Sequence, residues 1–397
     1  MGDDTTPVIA KAIRTPQGKE DGVFADVRSE DLSIPLIDTI LEETGLSGDE
    51  IDDLMWGVAQ QRDEQDNNVA RVIALLSELG EQVPATSINR WCASSMQAVI
   101  SASDAIRAGQ RQAIIAGGVE NMSRVKMGGG YQGRSIHPRM NEEYNLPGLQ
   151  MGMTAEKVAE EYEISREAQD EYAARSHQRA AAATEEGRFA DQIVPIETSV
   201  ASETQRADGE AVDDEGLVEE DEGIRPDTDV ETLSQLTPVF VGDGTVTAGN
   251  ASQISDGAAA TLVTSKAFAD EHGLDVMAHV GDNNVVGVDP SVMGIGPVPA
   301  TQGLLERTGE SIDEFDLVEL NEAFASQTVY AQRELGVPDE KFNVNGGAIA
   351  LGHPLGASGA RLPVTLVHEM EKRDAEKGLA TLCVGFGQGA AITFERQ

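Results

Sequence analysis

The sequence predicts an α/β protein built from two similar halves with an inserted loop unit between them. Three observations carry that expectation. A short strand, a loop, a helix and a buried, glycine-ended strand occur in that order twice, once around Cys92 and once around His353. Runs such as AIIAGG (113–118) are apolar throughout, as in strands covered on both faces. The stretch from about 120 to 250 departs from the pattern, with Gly/Tyr/Pro-rich loops, a charged helix pair and an acidic segment. At 397 residues the chain exceeds the size at which one core usually divides.

In chain order, residues 7–13 form an apolar-rich strand ahead of the turn residues Pro16 and Gly18. Helix follows over 30–44, where Leu32, Ile34, Leu36, Ile37, Ile40 and Leu41 give one buried face. A second helical pattern covers 66–79, then a strand over 85–89, the Cys92 segment, and a helix to about Gly109. Helices are expected at 154–162 and 166–186, followed by an acidic surface segment with 13 Asp/Glu and 2 Arg between 201 and 231. The second half repeats the first: 343–345, a Gly/His turn, a helix over 358–371 and a strand over 380–385. Stacked halves of this kind bury their helices back to back.

The charge is far from balanced. Asp and Glu number 69 against 29 Lys and Arg, a net charge of −40, and only 8 of the 29 cations are Lys. Such a field repels phosphate backbones and anionic membranes, so neither nucleic acid nor a membrane is an expected partner. Aromatics at 4% exclude a base-stacking surface. A folded, hyperacidic, Lys-poor chain fits a high-salt interior, where self-repulsion is screened. The start, MGDDTTPVIA, has no signal-peptide pattern, and no apolar run reaches membrane-spanning length, so a cytoplasmic location is expected.

Two cysteines, Cys92 and Cys383, stand in no disulfide or metal-ligand spacing, and no metal is expected. Cys92 opens the helix NRWCASSMQAV, where free N–H groups would lower a thiol's pKa; alone, a buried cysteine acting as a small hydrophobe is the commoner reading. The segment NVNGGAIALGHPLGASGAR (343–361) holds His353 among five glycines, and histidine is the usual base for a cysteine nucleophile. A phosphate cradle is the other reading of such a loop, but it lacks GxxxxGK[ST]. Cys383 lies beside Gly385 in CVGFGQG, where exposed N–H groups can serve an oxyanion. Asn321 and Glu322 follow an apolar run at a strand-to-helix junction. A GxGxxG at Gly128, Gly130 and Gly133 has no strand before it and no helix after it, and reads as chance.

Together, NRWCASSMQAV, GDGTVTAGNASQISDGAAA (242–260), NEAFA (321–325), the His353 segment and CVGFGQGAA resemble the thiolases, in family order and over most of the chain. The resemblance implies a five-layered α-β-α-β-α architecture. It divides the chain into an N-terminal half (1–121, completed by about 254–275), an inserted CoA-binding loop domain (122–253) and a C-terminal half (276–397). It implies an acyltransferase that cleaves 3-ketoacyl-CoA with CoA by ping-pong chemistry, or condenses two acetyl-CoA. Coenzyme A is substrate and product, and no cofactor is held permanently. Cys92 would carry the acyl group, His353 would activate it, and Cys383 would move the α-proton or the CoA thiol proton. Asn321, through a water, would complete one oxyanion site with His353; the N–H groups of Cys92 and Gly385 would form the other. Arg225 would lie by the adenine and Ser252 on the pantetheine, with Phe240, Met293, Ala323, Phe324 and Met151 along the tunnel. Gln150 stands where some biosynthetic members have histidine. Ketoacyl-synthase-type condensing enzymes pair their cysteine with two histidines, whereas Cys383 takes the second place here; a non-catalytic acyl-CoA-binding scaffold would not need all four polar residues. The family suggests a homodimer or homotetramer, and the charge a halophilic, archaeal source.

Overall fold

The computed structural model describes residues 5–127, 136–198 and 216–396. The GxGxxG glycines and much of the acidic 201–231 segment lie outside those residues.

Nine strands build the core: β1 (Pro7–Arg14), β2 (Asp53–Gly57), β3 (Ala85–Ile88), β4 (Ala113–Asn121), β5 (Ser255–Ser265), β6 (Ala278–Gly287), β7 (Leu317–Leu320), β8 (Lys377–Val384) and β9 (Gln388–Glu395). Eight helices matter to the site: α1 (Ser29–Thr44), α2 (Val69–Leu76), α3 (Ser94–Arg107), α4 (Met151–Glu161), α5 (Arg166–Glu185), α6 (Pro297–Thr308), α7 (Ala325–Leu335) and α8 (Leu355–Arg373).

The two halves share one topology. In the first, β3 and β4 flank β2 in parallel, and β5 pairs antiparallel with both β4 and β1. In the second, β7 runs parallel to β8, and β9 pairs antiparallel with both β8 and β6. The place of β3 is taken there by a single parallel bridge, Val318 to Phe342. Strands β1 and β6 join the halves by only two register pairs, Val8–His279 and Ile9–Ala278.

Five layers follow from which side chains meet. On the outer face of the first half, Leu32, Leu36, Ile37 and Ile40 of α1 pack with Leu54, Trp56, Ile115 and Leu262. The neighbouring residues Ile114 and Ala116 of β4 point the other way, into a central cluster with Met96 and Val99 of α3 and Leu362, Leu366 and Met370 of α8. Leu382, Val384 and Ile392 close that cluster from the second half. Leu379 faces outward instead, toward Leu304 of α6 and Ala331 and Leu335 of α7. Strands buried on both faces thus read as continuous apolar runs.

Helix α8 lies in the middle layer and is buried from Leu355 to Met370, so its pattern is mostly apolar or small all round, with Arg361, His368 and Glu369 as buried exceptions. It meets α3 backbone to backbone: Ala360 N–H donates to Ser95 Oγ at 2.8 Å, and a Cβ at Gly359 would fall 2.4 Å from Met96 N. The inserted stretch is fastened to the core by Arg14, fully buried, whose guanidinium grips Asp221 through two hydrogen bonds of 2.7 and 2.9 Å. Gln192 accepts a third from Nε at 2.9 Å.

Candidate active site

Both reactive segments lie where strands of the central layers end. Cys92 is buried in a tight turn between β3 and α3, and Trp91 before it adopts φ +47°. The helix begins at Ser94 with Ala93 as its cap, so Cys92 precedes the first turn rather than opening it. Asn89 shapes this turn, accepting from Trp91 N–H at 2.9 Å and donating to Ala59 O at 3.0 Å. The backbone N–H groups of Gly385 and of Cys92 itself favour the thiolate and pull the thiol's pKa down. The expected lowering of its pKa is not found: burial outweighs both donors and raises it to about 11. At neutral pH only about one molecule in ten thousand would hold a thiolate. The nucleophile therefore needs a base.

His353 has the chemistry of one. Its imidazole is buried, and burial, aided by the nearby Arg361 charge, lowers its pKa to about 3, so it is neutral. Nδ1 lies 2.6 Å from Ser358 Oγ, whose own proton is directed to Pro354 O at 2.9 Å. The hydroxyl therefore accepts from Nδ1–H, which assigns the proton to Nδ1 and leaves the Nε2 lone pair available. Asn321 Nδ2 sits 3.3 Å from that Nε2. Behind the amide, Arg361 Nη2 lies 3.4 Å from Oδ1, and Gln327 Nε2 donates to the Asn321 main-chain carbonyl at 2.9 Å.

Cys383 closes β8 and is buried beside Ala323 and Phe324, with Met151 packed against them. Its thiol is pushed well above the ordinary range, by burial first and by the neighbouring Cys92 second. The Cys92 charge is therefore felt at Cys383. Just beyond, Phe386 has φ +60° and its ring lies 5.3 Å from that of Trp91. A Cβ at Gly385 would meet the Trp91 ring at 3.2 Å, so glycine lets this N–H approach Cys92 without displacing the indole.

The remaining expected residues divide into two sets. Ser252 is half-buried in a segment that links the two polar loops: its N–H donates to Ala323 O at 3.0 Å, and His353 N–H donates to Gln253 O at 3.1 Å. Phe240 is 40% exposed and lies edge-on to Phe324 at 6.3 Å, over Gly152. Met293 is buried in the turn Pro290–Ile295, behind the loop in which Val288 N–H donates to Gly387 O. Arg225 is exposed at the surface, its N–H on His177 Nδ1 at 3.2 Å. Gln253 Nε2, donating to Gly223 O at 2.9 Å, ties that loop to the His353 segment. Among the described residues no three His, Cys, Asp or Glu side chains cluster to hold a metal ion.

Sequence reasoning missed three contributors, Ser358, Arg361 and Glu120, and left a fourth, Glu322, without a role. Ser358 and Arg361 lie on the otherwise small and apolar start of α8. Glu120, a charge at the end of the apolar β4, accepts from Ala59 N, Gln60 N, Gln65 Nε2 and Gly356 N, joining the two halves under Cys92. Glu322 accepts from Tyr172 at 2.8 Å, Ser176 at 2.6 Å, Asn343 at 3.0 Å and Ile349 N at 3.1 Å, binding the glycine-rich loop to α5. Their signal was a single ionisable residue inside a buried pattern, which marks a satisfied network.

A duplicated five-layer fold carrying two cysteines, a neutral histidine and converging N–H donors defines a class of acyl-transferring enzymes that work on thioesters. The chain belongs to the thiolase family: the thiolase N-terminal domain model matches residues 7–267 and the C-terminal domain model residues 274–396. It is 49% identical over 396 residues to the 3-ketoacyl-CoA thiolase of Pseudoalteromonas translucida, covering 98% of each chain. It is 50% identical to that of Aeromonas salmonicida, covering 98% of this chain and 99% of the other. The crystal structure of the Bacillus anthracis acetyl-CoA acetyltransferase superposes with a TM-score of 0.87 at 39% identity over 98% of each chain. These relatives are bacterial and give the archaeal source no support.

Proposed function

We propose that the chain cleaves 3-ketoacyl-CoA with CoA, releasing acetyl-CoA and an acyl-CoA two carbons shorter, through an acyl-Cys92 thioester. The observation that carries this is a buried, neutral His353 whose Nδ1 is held by Ser358 Oγ at 2.6 Å and whose Nε2 is faced by Asn321 Nδ2 at 3.3 Å. Identity to 3-ketoacyl-CoA thiolases over nearly the whole chain supports the substrate class.

The high Cys92 pKa and low His353 pKa make full proton transfer uphill in the free enzyme. The proton therefore moves to Nε2 as sulfur attacks the 3-keto carbon and its oxygen takes the charge between the two N–H groups. The C2–C3 bond then breaks, leaving the enolate of acetyl-CoA, whose thioester oxygen would be met by His353 and by a water held on Asn321. Cys383, still a thiol because it is buried beside Cys92, donates the proton to C2. Acetyl-CoA leaves, and the resulting Cys383 thiolate takes the proton of incoming CoA, whose sulfur attacks the acyl-Cys92 carbonyl. Acyl-CoA departs with both thiols restored, a ping-pong sequence.

Residues 122–253 would form the CoA-binding unit between the N-terminal half, completed by 254–275, and the C-terminal half. Arg225 would receive the nucleotide end of CoA, and Ser252 the pantetheine. Phe240, Phe324, Ala323, Met151 and Met293 would enclose the chain. A homodimer is supported by the exposed apolar residues of α2, Val72, Leu75 and Leu76, beside the edge strand β3. A cytoplasmic location is supported by two free thiols that a reducing compartment preserves. Adaptation to high salt is supported by the net charge of −40; a melting temperature unchanged between low and multimolar salt would remove it. The function itself is tested with Cys92→Ala, expected to abolish thiolysis of acetoacetyl-CoA in a folded protein; surviving activity refutes the assignment.

A further inference from the structure

Arg361 is fully buried on α8, with its Nη1 3.6 Å from Glu319 Oε2. This pair is poorly made as a stabilising contact: among the described residues, Arg361 Nε and Nη1 and Glu319 Oε2 have no hydrogen-bond partner. A buried pair so incompletely bonded returns little of its desolvation cost, and an apolar pair of similar volume would serve the fold as well or better. What the guanidinium does reach is Asn321 Oδ1, at 3.4 Å from Nη2. A guanidinium has donors only, so it favours the amide orientation that presents oxygen to it. The other end of the same amide, Nδ2, then faces His353 Nε2 at 3.3 Å. Rotated by half a turn, the amide would set oxygen against the Nε2 lone pair and against any developing enolate oxygen.

We propose that Arg361 is a positioning residue for this reaction, holding the Asn321 amide in the orientation that presents its N–H groups to the water at the thioester oxygen. The proposal rests on the assignment of His353 and Asn321 to the enolate step, and deepens it. Helix α8 would then set both members of that site, His353 through Ser358 and Asn321 through Arg361, which are one helical turn apart on the same face.

The two oxyanion sites are separated by measuring two events with acetyl-CoA: acetylation of Cys92 by mass spectrometry, and deuterium exchange at C2 in heavy water. Arg361→Met is expected to slow exchange about ten- to hundredfold, the effect of losing a hydrogen bond to a charged group, and to slow acetylation by much less. Combined with Asn321→Ala, it is expected to add nothing to the exchange defect of Asn321→Ala alone. Equal losses in both events, an additive double variant, or unchanged exchange would overturn the proposal. Should Arg361→Met not fold, Arg361→Lys keeps the charge but loses the fork; exchange slowed at least threefold supports the proposal, and unaltered exchange refutes it. A wild-type protein that neither acetylates nor exchanges would instead refute the functional reading.

Discussion

Replacing Ser358 by Ala removes one oxygen atom from a fully enclosed position 2.6 Å from His353 Nδ1. The donor left behind has no substitute among its described neighbours, for the adjacent Pro354 carbonyl was bonded to the serine and not to the ring. An unsatisfied buried donor costs about 1–3 kcal/mol. The ring can relieve it by moving the proton to Nε2, where it would confront the Cys92 thiol with a second donor and no acceptor. Either way the productive tautomer loses roughly 1–3 kcal/mol, which lowers kcat for acetoacetyl-CoA thiolysis about ten- to hundredfold. Steady-state rates should be paired with urea unfolding, because a purely structural serine would lower stability and leave turnover intact. A Ser358→Ala enzyme with kcat and kcat/KM within twofold of wild type would refute the tautomer argument.

Iodoacetamide alkylation of Cys92 in the free enzyme should climb with pH through 8 and 9 without a plateau near neutrality, since burial raises its pKa to about 11 and the thiolate fraction grows tenfold per pH unit below that value. A plateau between pH 6 and 8 would mean a preformed thiolate. Asp221→Ala, which leaves Arg14 as an unpaired buried charge, should destabilise the fold by about 3–5 kcal/mol in urea titrations. The double replacement of Arg14 and Asp221 by apolar residues of similar volume should cost less than that single change, and a larger loss would contradict it. Gly385→Ala keeps the N–H but sets a methyl 3.2 Å from the Trp91 ring; if that forces the N–H away from Cys92, kcat should fall by up to about 10²-fold, and unchanged kcat in a folded protein would count against a role for this close approach.

Much of this protein was written locally. The apolar runs of β4 and β8, the helical spacing of α1, and the repeat of strand, loop, helix and strand are properties of neighbouring residues, set by periods of 2 and 3.6. Cys92, His353, Cys383 and Asn321 also stood out as candidates, because each sits in a segment rich in glycine and small residues beside an apolar run. Tertiary structure decided what depends on distant partners. The Cys92 pKa was misjudged from its nearness to a helix start, because the burial that raises it comes from strands and helices of both halves. Ser358 acquires meaning only once α8 turns it toward His353, and Arg361 only once β7 delivers Asn321. The Gly385 N–H that lowers the Cys92 pKa comes from nearly 300 residues further along the chain. A sequence states which groups are available; the stacking of two halves decides which of them share a few ångströms, and at that distance electrostatics and hydrogen bonding set their chemistry.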